Sequence, residues 1–112
     1  SELAGFYRRT GKNDKMQETI AKLANSSGTP LFDGAATLVR TGRQLPAAIK
    51  MLNRYIAQGG TPDAPVYQAY YQLGLAYQKL GDKQAAKEHF QQATQIANYL
   101  PAEKALSDSD SQ

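Results

Sequence analysis

Glycine-containing breakers recur along this chain at intervals that leave room only for short helices. They stand at Thr10-Gly11, Asn25-Ser26-Ser27-Gly28, Thr41-Gly42, Gly59-Gly60-Thr61-Pro62 and Gly81-Asp82, and each is a turn signal. The runs between them are rich in Ala, Leu, Gln and Lys, which favour helix. No run sustains the alternation of β-branched and aromatic residues that a strand needs. The sequence therefore predicts an all-α chain with helices at roughly 2–10, 14–25, 30–41, 46–58, 65–80 and 83–98.

Capping chemistry agrees with these limits. Thr29-Pro30 fits an N-cap followed by proline at the first helical position, and Pro46 and Pro65 can open their helices in the same way. Asp14 and Asp82 are placed to cap, with Gln17 three residues after Asp14 as in a capping box. The acidic end, residues 107–112, offers nothing apolar to bury and is expected to be disordered.

Composition removes several classes of function. A chain of 112 residues supports one domain with a modest core. It contains no Cys and a single His, His89. A disulfide scaffold, a thiolate metal site and a cysteine nucleophile are excluded, and a histidine metal cluster or a relayed Ser–His pair has little to draw on. His89 is expected to be an exposed structural residue. No stretch approaches the ~18 consecutive apolar residues of a membrane span. The carboxylates Glu18, Asp33 and Glu88 fall on different helices and form no acid–base pair, and Thr10-Gly11-Lys12 lacks the preceding glycine and strand of a phosphate loop. The net charge of +3 divides into a mildly basic body and an acidic end, too weak a balance for nucleic acid. The tyrosines from Tyr67 to Tyr77 lack the interleaved cations of a stacking platform. No cofactor, metal or catalytic residue is expected.

The helical segments repeat. The fifth and sixth read Tyr70-x2-Leu73-Gly74-x2-Tyr77-x3-Gly81-x4-Ala86-x3-Phe90-x2-Ala93, with Pro101 beyond. Tyr70, Leu73 and Tyr77 share one helical face. Gly74 on that face admits a close neighbour, Ala86 and Ala93 are small counterparts, and Phe90 fills the space between them. The same offsets recur in Gly34-Ala35-x2-Leu38-x3-Gly42-x5-Ala48-x3-Leu52-x2-Tyr55, with one extra turn residue, and in Leu3-Ala4-x2-Tyr7-x3-Gly11-x4-Met16-x3-Ile20-x2-Leu23. This pattern resembles the tetratricopeptide repeat, a helix–turn–helix unit of about 34 residues. The resemblance covers residues 1–106 as three copies, near 1–28, 29–64 and 65–100, and the third is the best match.

That resemblance implies a right-handed α–α superhelix of about three hairpins, and binding in place of catalysis. Solenoids of this family hold a peptide or helix of a partner in a concave groove lined by the first helix of each repeat. By offset, the groove residues are Arg8 and Arg9 in the first copy, Phe32, Val39 and Arg40 in the second, and Gln68, Tyr71, Leu75, Gln78 and Lys79 in the third. Phe32, Val39, Tyr71 and Leu75 are expected to anchor apolar groups, with the cations attracting carboxylates. Arg9, Arg40 and Lys79 also lie in the last turns of their helices, where the helix dipole favours a cation without any ligand. The Lys-x3-Asn clamp of the chaperone-binding members is missing, with Gly5, Asp33, Ala36 and Gln72 in the relevant stretches.

The expected function is a protein-interaction module, with a bacterial scaffold as its setting, in the cytoplasm or the periplasm. The alternatives are a structural or regulatory stretch of a larger enzyme, and self-association through uncapped solenoid ends. Because Leu3 already falls mid-helix in the pattern, the chain is expected to be cut from a longer protein. Nucleic acid and direct membrane insertion are not expected.

Overall fold

A computed structural model describes residues 15–96 and 100–110. Among these residues there are six helices and no strand. They are α1 (15–24 as described), α2 (Gly28–Thr41), α3 (Leu45–Gln58), α4 (Val66–Lys79), α5 (Lys83–Ile96) and α6 (Leu100–Asp110). The helix expected at 2–10, the Gly11 turn, the Asp14 cap, and the groove positions Arg8 and Arg9 lie outside the described residues.

The helices pack as neighbouring pairs. The α4–α5 and α2–α3 pairs have the most extensive contacts, α3 joins the pairs, α5 carries α6, and α2 also meets α4. Each pair turns in the same way. After α2, the Gly42 N–H donates to Val39 O and the Arg43 N–H to Leu38 O. After α4, the Gly81 N–H donates to Gln78 O and the Asp82 N–H to Tyr77 O. These are two Schellman caps in register. Their glycines, at φ +70° and +84°, occupy the left-handed region that a side chain disfavours. Asp82 then caps α5, accepting from the Ala85 N–H at 3.1 Å, as the sequence predicts.

The core follows from the apolar stripes these turns bring together. Leu31, Ala35, Val39, Ala48, Met51, Leu52, Tyr55, Ala69, Leu73 and Ala76 form one buried cluster. Phe90, Ala86 and Ala93 are buried on the inner face of α5. Burying a side chain of Leu or Phe size contributes about 1.5–3 kcal/mol. Gly74 sets how closely α5 approaches. A Cβ placed there would fall 2.4 Å from Phe90 Cδ1 and Cε1, so the ring rests on bare backbone.

The long stretch after α3 is a packed loop. The Tyr55 hydroxyl donates to the Ala64 carbonyl and lies 3.0 Å from the Thr61 hydroxyl, and Ala64 is buried. Thr61 also meets Thr29 at 2.9 Å. Arg54 Nε donates to Ser26 O, and Gln58 Oε1 accepts from the Gly28 N–H. Together these bonds seal the α2 entry against the α3 exit.

Several local expectations change. Helix α2 starts at Gly28, two residues before the expected limit, so Pro30 sits within its first turn. A distant glutamine satisfies the Gly28 donor there, with no side-chain bond from the N-cap. Pro65 is itself the N-cap of α4. At the acidic end, residues 107–110 continue α6 where the sequence suggested disorder. An existing helix adds further residues at little cost, because the unfavourable step is nucleation, and buried Ala102 anchors this one. Residues 111–112 lie outside the described residues.

Candidate functional site

Helix α4 is the centre of the open face because it has a neighbour on each side. Toward α2, a cleft of 520 Å³ is lined by Asp33, Ala36, Thr37, Val39 and Arg40, facing Gln72, Leu75 and Lys79. On the α2 side Asp33, Ala36, Thr37 and Arg40 form a stripe at i, i+3, i+4 and i+7 with Val39 at its edge, and the α4 side is a stripe at i, i+3 and i+7, so each lies on one helical face. Toward α6, a second cleft of 860 Å³ brings Tyr71, Leu75 and Gln78 opposite Pro101, Glu103, Lys104, Ala105 and Asp108. Leu75, half-buried, lines both. A third, largely apolar cleft of 540 Å³ opens between α1 and α2, with Met16, Ile20, Leu23 and Leu38 among its walls.

The residues expected to form the groove divide into several groups. Arg40, Leu75, Gln78 and Lys79 line the clefts as placed by offset. Tyr71 lines the α6 side, but its ring also packs on Phe90 with centroids 5.7 Å apart. Val39 reaches the cleft wall yet is 1% exposed, so it belongs mainly to the core. Gln68 is half-buried and lines neither cleft. Phe32 requires correction. It is a core residue, 8% exposed, with its ring 5.3 Å from that of Tyr55. It offers no open anchoring pocket, because the α2–α3 crossing turns that side of α2 inward.

Lys79 has a structural contact as well. Its Nζ donates to the Arg40 carbonyl oxygen at 3.1 Å, tying the end of α4 to the end of α2. This is the favourable meeting of a cation with the free carbonyls of a helix C-terminus. Two cationic side chains are thereby brought to one end of the α2–α4 cleft, while Asp33 lies at the other.

The offsets missed the contribution of α6. Pro101, Ala105 and the charged residues between them complete the second cleft. The available signal was Pro101 after the last hairpin, which marks a new element in the position a further first helix would take.

His89 also departs from expectation. It is half-buried and stacked beside Tyr77 and Tyr70, with centroids at 5.2 and 6.4 Å, and its Nδ1 is 2.8 Å from Gln92 Oε1. The close approach at Gly74, which lies between the two tyrosines on α4, draws this part of α5 against both rings. Among the described residues no cluster of His, Cys, Asp or Glu is placed to hold a metal ion, and no helix is long and apolar enough to cross a membrane.

Comparison with known proteins bears on the α4–α5 hairpin. The family model for the tetratricopeptide repeat matches residues 67–99. The chain carries a tetratricopeptide repeat. The matched span covers almost all of α4, the Gly81 turn and all of α5. In this tetratricopeptide unit, the Gly74–Phe90 contact and the Gly81 bend are the features that the repeat spacing specifies. No curated protein and no solved structure matches the chain. Repeats of this kind are generally interaction modules and not catalysts.

Proposed function

We propose that this chain is a non-catalytic protein-interaction module that holds a peptide or helical segment of a partner along the face of α2, α4 and α6. The single observation that carries this reading is the position of Leu75. It is a half-buried apolar side chain shared by two clefts, so one bound segment can run across all three helices. The α2–α3 hairpin is a second copy of the repeat, supported by its matching Schellman cap. A scaffold or assembly protein of bacterial type is the setting such a module suits. Apolar contact at Leu75 and Tyr71 supplies affinity, and the flanking charges supply orientation and association rate.

The test starts from short randomised peptides displayed and selected against the full chain. Amide shift mapping of an enriched peptide is expected to move Ala36, Leu75, Gln78 and Ala105. Leu75→Lys is expected to abolish binding while the circular dichroism spectrum stays the same. Shifts confined to the outer face of α5, or no enrichment at all, would overturn the reading.

A further inference from the structure

The α2–α4 cleft is electrically polarised, and the polarity specifies its occupant. Asp33 and Arg40 stand on one face of α2, two turns or about 10 Å apart along the axis. Both are exposed and both line the cleft. Among the described residues neither side chain is held in an ion pair. At the Arg40 end, Lys79 is drawn in by its bond to the Arg40 carbonyl. That bond uses a neutral acceptor, so two positive charges lie at this end with no carboxylate between them. The wall between the ends is uncharged, with Ala36, Thr37 and Gln72 beside the apolar surface of Val39 and Leu75.

From this arrangement we infer that the groove selects a dipolar amphipathic segment of a partner protein. An acidic residue of that segment meets Arg40 and Lys79, a basic residue meets Asp33, and an apolar side chain between them rests on Leu75. The inference rests on the groove reading above and narrows it. A uniformly acidic segment would place a carboxylate against Asp33, and a uniformly basic one would place a cation against Arg40 and Lys79. Like charges set opposite each other disfavour both. The charged ends of the cleft lie about two helical turns apart, so a segment of about two turns, or a short extended stretch, is sufficient.

The test uses the same displayed peptides on three full-length chains: the parent, Asp33→Lys, and the double variant Arg40→Glu with Lys79→Glu. The parent is expected to enrich peptides carrying both an acid and a base on either side of an apolar residue. Asp33→Lys is expected to enrich acids at both ends, and the double variant bases at both ends. A peptide selected on the parent is expected to bind each variant about fivefold more weakly, the effect exposed charge pairs support, and to lose affinity as salt rises. Retained helicity and a cooperative melt in both variants, with a small drop in the double variant for the lost Lys79 bond to the Arg40 carbonyl, separate charge effects from unfolding. If all three chains enrich the same apolar peptides, and these still move the Leu75 amide, the polarity inference fails while the groove stands. If no peptide moves Leu75, both fail. If a single-stranded oligonucleotide moves the same amides more strongly than any selected peptide, the partner class is overturned.

Discussion

The ring of Phe90 lies directly on the backbone of Gly74, with no room for even a methyl group between them. Gly74→Ala sets two effects against each other. Alanine improves helix propensity by about 1 kcal/mol, while overpacking a filled core costs about 1–3 kcal/mol. Because the new carbon would fall 2.4 Å from a ring that is fully buried, the clash wins. Urea unfolding is expected to show a net loss of up to about 2 kcal/mol. Combining Gly74→Ala with Phe90→Leu is expected to cost less than the sum of the two changes, since the smaller side chain relieves the clash. Strict additivity would show that the contact is not the source of the effect.

Gly42 and Gly81 should respond alike. Each ends its helix at positive φ, and a Cβ at either would meet nothing within 4 Å. Alanine there carries only the backbone penalty of the left-handed region, about 1–2 kcal/mol. Equal losses on chemical denaturation are expected from the two single variants, with no change in the helical spectrum at low temperature. A loss at one site alone would mean that the two turns are not equivalent.

Tyr55 holds the loop after α3 through its hydroxyl. Tyr55→Phe keeps the ring and removes the bonds to Ala64 and Thr61, a loss of about 0.5–1.5 kcal/mol. Hydrogen exchange is expected to speed up across residues 59–65 and to change little in α5. Uniform acceleration throughout the chain would show instead that the loop unfolds only with the whole domain.

Leu73, inside α4, and Leu80, the residue that caps its C-terminal end, should differ sharply. Leu73 is 1% exposed and Leu80 49% exposed. Leu73→Ala is expected to cost about 2–5 kcal/mol as a core truncation, whereas Leu80→Ala should stay within about 0.5 kcal/mol. Thermal melts of the two variants, run side by side, check that packing reaches Leu73 and stops before the helix cap.

The sequence alone determined the features governed by near neighbours along the chain. Helix type and rough limits follow from propensity and from the 3.6-residue period, and the bends at Gly42 and Gly81 follow from the freedom of a residue without a Cβ. The Gly74–Phe90 contact was legible for a related reason: the repeat fixes both the spacing and the sizes of the partners. Tertiary structure decided which sides of those helices face water. Phe32 occupies a groove offset, yet the α2–α3 crossing buries it on Tyr55, while Leu75 stays half open between two clefts. His89 stacks on two tyrosines, and α6 joins the open face, because packed helices meet at particular angles and separations. Those angles depend on side-chain packing summed over whole interfaces, and no local pattern of residues encodes that sum.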